Sequence, residues 1–341
     1  MEKQTNNKKA PRITFIAWAK YGYDRRNDLL ANRIGASMHY VYWGRHGKLF
    51  LTPLRYIVQS WQTMRILIHE HPDVVVTHNP PIFCVLVAFI YAKLFKANYV
   101  IDSHTGAFLS KAWRWSLGLH RMLSKRAIVT IVHNNHQKAI VEQWGYRYCV
   151  LGSFGSDYPE GIPFSVQGKF NVAVIGSIYK EERLDIVFEA AQKLSDVRFY
   201  VTGHSNRIGS ELLDKKPDNC ILTDFLPDEH YIGLLRSVDA ILTLTKGDHR
   251  VLMGAFEAVA VEKPLITSNW QTLKQQFTIG TVHIPNTAEG LYEGVRQARE
   301  KQEALQRDIV ILRKQLINEW EQEYRKLRHF IDRKIRSYNA A

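Results

Sequence analysis

The chain has 341 residues, enough for two domains of ordinary size, and 45% of them are hydrophobic, enough to fill two cores. Its 46 Lys and Arg outnumber its 33 Asp and Glu, and the excess lies in the first half: residues 1–158 hold 21 basic and 8 acidic residues, whereas the remainder holds 25 of each. Only three cysteines are present, Cys84, Cys149 and Cys220, and their wide spacing excludes a disulfide framework and a zinc-finger site.

Two further features bear on location. The polar, basic N-terminal segment lacks the apolar stretch of a signal peptide. The longest apolar run, residues 82–92, is much shorter than the roughly 20 residues of a membrane-spanning helix. Together with the cysteine usage, these features predict a cytoplasmic protein.

Strand and helix patterns alternate along the first half. The predicted strands are 13–18, 39–42, 74–77, 99–101, 128–132 and 148–151, and the predicted helices are 28–34, 54–71, 82–95, 111–124 and 137–144. Each connection between parallel strands must lay a helix on a face of the sheet. The alternation therefore predicts a doubly wound parallel sheet.

A stretch rich in glycine and proline, residues 152–168, then interrupts this rhythm and predicts an interdomain connection. A second alternating series follows it, and from Thr287 onward the chain is almost continuously helical and charged. The predicted fold class is α/β, with two Rossmann-like domains. Their predicted bounds are 1–152 and 169–318, with a linker at 153–168 and a terminal helix at 319–341.

Residues 242–267 show the pattern of a strand, a loop with Gly247, a helix from Gly254 and a second strand. In such a unit the loop lies at the carboxyl end of the first strand, and the N–H groups at the start of the helix favour a phosphate. Glu257 falls one turn into this helix, where its carboxylate can accept hydrogen bonds from the two hydroxyls of a ribose.

This stretch resembles the signature region of family 4-type glycosyltransferases of the GT-B fold, in which an acidic residue, a glycine-bearing loop and a helical Glu-Ala clasp a sugar nucleotide. Glu257 and Ala258 match the second half of the signature. In the first half of the signature, His249 stands at the acidic position, and Asp248 lies one residue further from Glu257. Either the loop is one residue longer and Asp248 takes the role, or the acidic residue has been replaced.

The resemblance implies two domains that face each other across a cleft, with a last helix that crosses back to the first domain. It also implies that the second domain binds the donor, a nucleotide sugar. The predicted donor-binding residues lie in strand-end loops and at the start of the signature helix: Gly176, Ser177, Lys180, Gly203, Phe225, Leu252, Met253, Gly254 and Glu257.

Family members usually carry an Arg and a Lys after the first strand of the second domain, where they neutralise the leaving diphosphate. In this sequence Ser177 and Glu182 stand at those two positions. A departing diphosphate still needs a cation, so we expect Arg250 and Lys180 to substitute.

In the first domain the family places a histidine beside the donor sugar, at the turn after the fourth strand. His104 is the matching residue, with Asp102 two positions before it. An imidazole there can bind a sugar hydroxyl or orient the acceptor. The sequence leaves the general base open among Asp102, His104 and Asp24.

The predicted function is therefore glycosyl transfer, with His104, Asp102, Asp248 and Arg250 as candidate catalytic residues. No cofactor is expected, and no metal, because no carboxylate pair has ligand spacing. Aromatic residues among the basic residues of the first half predict a lipid-linked, glycan or membrane-surface acceptor and peripheral association with an anionic membrane on its inner face.

Two alternatives share the architecture: a sugar-nucleotide epimerase or hydrolase, and a sugar-nucleotide-binding protein that has lost catalysis. Nucleic acid is not an expected partner, because the sequence shows no recognisable nucleic-acid-binding motif.

Overall fold

In the computed structural model of the chain, the residues described are 11–19, 22, 24–44, 51–153, 158–176 and 183–339. The chain divides into two compact units. The first comprises Met1–Gly152 together with Trp320–Ala341, and the second comprises Ser153–Glu319.

The first unit contains a six-stranded sheet in the order β2-β1-β3-β4-β5-β6, and every pair of neighbours is parallel. Its strands are β1 (Ile13–Ala17), β2 (Ala36–Tyr40), β3 (Val74–Asn79), β4 (Asn98–Ser103), β5 (Thr130–Val132) and β6 (Tyr148–Val150). The central strands are apolar and almost completely buried, as expected for a parallel sheet covered on both faces.

The helices of the first unit are α1 (Arg25–Ile34), α2 (Thr52–Glu70), α3 (Ile82–Leu94), α4 (Thr105–Leu109), α5 (Leu117–Ser124) and α6 (Asn135–Gln143). Helix α3 packs beside both α2 and α5. Asp24 caps the start of α1, and Gly35, in the left-handed conformation, ends it.

Several predicted bounds of this unit differ in the structure, among them those of a strand and a helix. Strand β2 begins at Ala36 rather than at His39, because the chain enters the sheet directly after Gly35. The predicted helix 111–124 starts only at Leu117. Trp115 Nε1 and Ser116 Oγ donate to the carbonyls of Ala112 and Trp113, and these local bonds accompany a short 3-10 turn where an α-helix was expected.

The second unit contains a parallel six-stranded sheet in the order β12-β11-β10-β7-β8-β9. Its strands are β7 (Phe170–Val174), β8 (Val197–Thr202), β9 (Cys220–Asp224), β10 (Ala240–Thr243), β11 (Leu265–Ser268) and β12 (Thr281–Ile284). Its helices are α7 (Leu184–Gln192), α8 (Ser210–Leu213), α9 (Asp228–Ser237), α10 (Met253–Ala260), α11 (Gln271–Gln276) and α12 (Ala288–Glu300).

The last helix, α13 (Gln302–Asn339), belongs to the second unit up to Glu319 and to the first unit from Trp320. In the first unit it packs on α1 and on the edge strand β6. Arg33 pairs with Glu321 and lies 5.2 Å from the Trp320 ring and 5.1 Å from the Tyr324 ring. The backbone N–H of Val150 donates to Glu323 at 2.7 Å.

The described part of the connecting segment, residues 158–168, lies against α9 of the second unit. Ile162 N donates to the carbonyl of Glu229 at 2.9 Å. A Cβ at Gly233 would lie 1.6 Å from the carbonyl oxygen of Ile162, so only glycine fits there. Among the described residues, no helix has the length and apolarity needed to cross a bilayer.

Candidate active site

Ionisable side chains gather at the carboxyl edge of the first sheet. His78 lies near the end of β3, Asp102 lies near the end of β4, and His104 and His133 directly follow β4 and β5. Arg26 reaches this edge from the first turn of α1. In a doubly wound sheet, the carboxyl ends of the strands are where ligands bind.

A buried ion pair forms the base of this cluster. Arg26 Nη1 and Nη2 donate to the two carboxylate oxygens of Asp102 at 2.5 and 3.0 Å, and Nη2 also donates to the carbonyl of Leu151 at 3.0 Å. Asp102 is fully buried. Burial alone would raise the pKa of its carboxyl, but Arg26 and the neighbouring histidines outweigh burial and hold that pKa well below its usual range.

Three imidazoles surround the ion pair. His133 Nε2 donates to Asp102 at 3.0 Å, which leaves its Nδ1 as the acceptor nitrogen. His104 Nε2 lies 3.3 Å from the Asp102 carboxylate. The His104 ring stacks on His78 with centroids 3.8 Å apart and meets the His133 ring edge-on at 4.2 Å.

These imidazoles are neutral near pH 7. Burial lowers the pKa of His133 to about 4, and the positive charge of Arg26 adds to that effect. Burial also lowers the pKa of His78 and of His104, and each is lowered further by a neighbouring imidazole. A neutral imidazole can accept a hydrogen bond from a hydroxyl group or donate one to it, so the cluster suits a polyhydroxylated ligand.

Asp24, one of the three candidate bases, serves the fold. Its carboxylate accepts from the N–H of Asn27 at 3.0 Å as the cap of α1. Asn27 in turn contacts His78 Nδ1 through its amide nitrogen at 3.2 Å. Asp24 therefore supports the helix that carries Arg26 and Asn27 to the cluster.

The spacing of Asp102, His104 and His133 would also suit a metal ion. However, both carboxylate oxygens of Asp102 accept from Arg26, and Oδ1 also accepts from His133 Nε2, so a cation would have to compete with a guanidinium and an imidazole N–H. The donor set therefore fits an ion pair better than it fits a metal centre.

In the second unit, the start of α10 lies unusually close to the end of β7. A Cβ at Gly254 would lie 2.8 Å from Ile175 Cγ2, so only glycine lets the helix approach this closely. Leu252 occupies the N-cap position and Met253 the first helical position, and no described side chain caps the helix. Gly176 ends the described part of the β7 loop; Ser177, Lys180 and Glu182 lie outside the described residues.

Glu257 is buried within α10, with 7% of its surface exposed. Its Oε2 accepts a hydrogen bond from the hydroxyl of Tyr231, on α9, at 2.5 Å. A carboxylate has about four acceptor positions, so it can accept hydrogen bonds from more than one donor.

The loop between β10 and α10 is held by Asp248. Its Oδ1 accepts from the N–H of His249 at 2.6 Å and from the N–H of Thr272, in the first turn of α11, at 3.1 Å. Burial tends to raise the pKa of Asp248, but the bonds to Thr272 and His249 outweigh it and lower that pKa. His249 has a positive φ of 67°, and Arg250 is exposed.

An aromatic pair lies at the ends of β8 and β9. Gly203 has a φ of 107°, and its N–H donates to the carbonyl of Asp224 at 3.3 Å. The ring of Phe225 stacks on His204 with centroids 5.3 Å apart, and 67% of Phe225 is exposed. Phe225 therefore lies outside the hydrophobic core and offers a flat apolar surface.

Sequence reasoning gave no role to His133 or Tyr231, and it did not predict that Arg26 and His78 join Asp102 and His104. His133 could have been sought by asking which polar residue follows each predicted strand, since it comes directly after the strand predicted to end at Val132. Tyr231 gave no such signal, because its contact with Glu257 depends on how two helices pack.

Comparison with known proteins bears on the fold. The chain is similar to sucrose-phosphate synthase from Thermosynechococcus elongatus, with 12% identity, a TM-score of 0.73 and coverage of 96% of this chain and 100% of that one. It is similar to Anabaena HepE in complex with UDP and glucose, with 14% identity, a TM-score of 0.71 and coverage of 94% and 100%. It is also similar to a putative UDP-N-acetylglucosamine 2-epimerase from Listeria monocytogenes, with 11% identity, a TM-score of 0.61 and coverage of 93% and 98%.

No protein-family profile matches the sequence, and a search of curated proteins finds no match. At such low identities the structural likeness establishes the fold. The two parallel six-stranded sheets and the extent of the likeness confirm the predicted α/β class with two Rossmann-like units, the GT-B architecture.

Proposed function

We propose that the protein is a glycosyltransferase that moves a sugar from a nucleotide-sugar donor to a hydroxyl of an acceptor. The observation that carries the proposal is the start of α10: a helix N-terminus that no described side chain caps, packed through Gly254 onto the end of β7, with Glu257 one turn further along. Solved structures of similar fold, such as Anabaena HepE, are complexes with UDP-glucose, which supports a donor of this class.

The second unit would bind the donor. Backbone N–H groups at the start of α10 would hold the diphosphate, and Glu257 would accept a ribose hydroxyl beside its bond to Tyr231. As the bond between the anomeric carbon and the diphosphate breaks, the diphosphate leaves with the electron pair. Arg250, in the loop before α10, would then stabilise its charge, and so would Lys180.

The first unit would bind the acceptor. The attacking hydroxyl must lose its proton as the new glycosidic bond forms, and a neutral imidazole can receive it on its unprotonated ring nitrogen. His104 is partly exposed and His133 is held by Asp102. In this proposal Asp102 is a positioning residue, because it is fully buried and acts through the histidines.

The acceptor class follows from the composition of the first half. We expect a lipid-linked or other membrane-surface acceptor, in polysaccharide or glycolipid synthesis, because the excess of Lys and Arg falls entirely in residues 1–158.

The test is to incubate the protein with a panel of sugar nucleotides, with and without membrane extract, and to measure release of nucleoside diphosphate. Acceptor-dependent release is expected, and UDP binding should weaken about tenfold in Glu257→Gln because a charge-assisted bond is lost. The matched control is Glu189→Gln, which changes an exposed carboxylate on α7. Equal UDP affinity in both variants would remove Glu257 from the donor site.

The same assay tests an epimerase, which is favoured by the likeness to the putative 2-epimerase. If the protein converts the sugar nucleotide to its epimer or to free sugar without any acceptor, it is an epimerase or a hydrolase and the proposal of sugar transfer is wrong. Binding of sugar nucleotides without turnover under any condition would indicate a protein that has lost catalysis.

A further inference from the structure

We infer that the outward face of α2, together with α5 and the turn before it, is a docking surface for an anionic lipid bilayer. The observations that support this surface are independent of those at the donor site. The surface deepens the proposed function by naming the partner of the first unit, but its test needs neither a donor nor turnover.

Helix α2 is apolar on more than one side. Its inward side carries Leu67 and the partly buried Tyr56, Met64 and Ile66, which pack against the core of the first unit. The residues that it buries are Gln59, Thr63 and Leu67, and the two polar ones are hydrogen-bonded inside: Gln59 to the carbonyl of Val41 at 3.0 Å and Thr63 to Trp18 Nε1 at 2.8 Å. A surface helix normally turns its apolar face inward.

The residues that α2 exposes are mainly large and apolar. Ile57 is 66% exposed, Trp61 57%, Leu54 46% and Ile68 43%. Their spacing places them in one stripe on the helix, about 20 Å long at the rise of an α-helix. A contiguous apolar patch of this kind on a protein surface indicates a partner.

Exposed apolar side chains also occur on the neighbouring elements. On the core side of α2, Tyr56 meets Phe83 on α3, with ring centroids 4.9 Å apart, and Phe83 meets Trp115 at 6.2 Å. Trp115 is 63% exposed and Met122 on α5 is 48% exposed. Large apolar side chains are therefore exposed on α2, on α5 and in the turn before it.

The segment that carries these elements is mainly basic. Residues 51–126 contain nine basic residues, namely Arg55, Arg65, Lys93, Lys96, Lys111, Arg114, Arg121, Lys125 and Arg126, against three acidic ones. Each acidic residue has an internal partner: Glu70 accepts from Ser37 at 2.7 Å, Asp73 from the N–H of Arg12 at 2.8 Å, and Asp102 from Arg26.

Charge complementarity and residue type together favour a bilayer. Exposed Lys and Arg attract an anionic leaflet, and tryptophan favours the boundary between headgroups and acyl chains. The Arg65 guanidinium lies 4.8 Å from the centroid of the Trp61 ring, so a cation and an aromatic ring occur together on the exposed face of α2.

The test is vesicle flotation of the full chain at low salt, comparing neutral phosphatidylcholine vesicles with vesicles that also contain phosphatidylglycerol. The wild type should float only with the anionic vesicles. The double variant Ile57→Ser and Trp61→Ser should partition at least about tenfold less, because two apolar side chains no longer enter the bilayer. Arg121→Gln with Lys125→Gln should lose about fivefold per charge removed.

Matched controls lie on α13 within the second unit. Ile311→Ser removes an apolar residue that is 49% exposed, and Arg307→Gln with Lys314→Gln removes two exposed charges. Both controls should float like the wild type. An unchanged thermal unfolding midpoint in all variants would show that they are folded.

Three results would overturn the inference: a wild type that does not float with anionic vesicles, one that floats equally with neutral vesicles, or patch variants that float like the wild type. If light scattering showed a wild-type dimer that Ile57→Ser with Trp61→Ser disperses, without any vesicle binding, the surface would join two copies of the chain instead. A protein that floats but turns over no sugar nucleotide would contradict only the proposed function.

Discussion

The two candidate sites lie at equivalent edges of two similar sheets, yet they are built differently. In the first unit the site consists of ionisable side chains held by a buried ion pair between Arg26 and Asp102. In the second unit it consists largely of backbone, brought into place by Gly254, with a few side chains such as Glu257 around it. Electrostatic interactions hold the first site in place, and close packing holds the second. The two sites should therefore respond to different substitutions.

The largest expected effect is at the ion pair. Asp102→Asn leaves the Arg26 guanidinium buried without a counter-charge, and we expect a loss of about 3–5 kcal/mol in the free energy of unfolding, measured with urea. The control is Asp73→Asn, whose partner Arg12 is exposed; there the loss should be about 0–1 kcal/mol. Equal losses in the two variants would show that the buried pair of Arg26 and Asp102 stabilises the fold no more than the exposed pair of Arg12 and Asp73.

The buried histidines should make the free energy of unfolding depend on pH. The pKa of His133 is about 4 in the folded protein and near 6.5 in an unfolded chain, so the unfolded state takes up the proton first as the pH falls. The free energy of unfolding should therefore be highest above pH 6.5 and decline between pH 6.5 and about 4. The contribution of His133 to this decline should be on the order of 3 kcal/mol.

His78 and His104 should act in the same direction, since their pKa values are also lowered. Urea unfolding at a series of pH values measures the slope. His133→Gln should flatten the slope between pH 6.5 and 4 relative to the wild type. An unchanged slope would mean that His133 titrates normally in the folded protein.

Packing at the second site is tested by Gly254→Ala. The added methyl would meet Ile175, so we expect a loss of about 1–3 kcal/mol in unfolding free energy and weaker binding of UDP. Gly247→Ala is the matched control in the adjoining loop, because nothing lies within 4 Å of a Cβ there. If both variants bind UDP alike, close approach of α10 to β7 does not serve the donor.

The smallest effect on stability is expected at Phe225. Because this ring is mostly exposed, Phe225→Ala should change the unfolding free energy by less than about 0.5 kcal/mol. Loss of a stacking surface should nevertheless weaken UDP binding about tenfold, measured by calorimetry. Unchanged binding would leave the pair of Phe225 and His204 without a part in the donor site.

The sequence predicted what depends on local pattern. The alternation of apolar strands and amphipathic helices predicted both sheets, and the family resemblance at the turn after the fourth predicted strand singled out His104, with Asp102 two positions before it. The sequence did not single out α11 or β12, because six-residue and four-residue elements carry little periodicity. The partners of Asp102 were also missed, since contacts between Arg26 and Asp102 link positions 76 residues apart and depend on tertiary packing.

The exposed apolar stripe of α2 was not predicted either. The periodicity of α2 predicted an amphipathic helix, but periodicity does not say which face turns inward. That choice depends on Trp18 and Val41, which offer hydrogen-bonding partners to Thr63 and Gln59 from other parts of the chain.

The distribution of α13 has a consequence for how the protein is made. Leu327 and Ile331 are almost completely buried in the first unit, although they come more than three hundred residues after its first strand. During synthesis, the segment Met1–Gly152 must leave the ribosome without this covering and wait until the part of α13 after Glu319 has been translated. A ribosome stalled before Trp320 should therefore display a first unit that proteases cut readily, with β6 and α1 still bare.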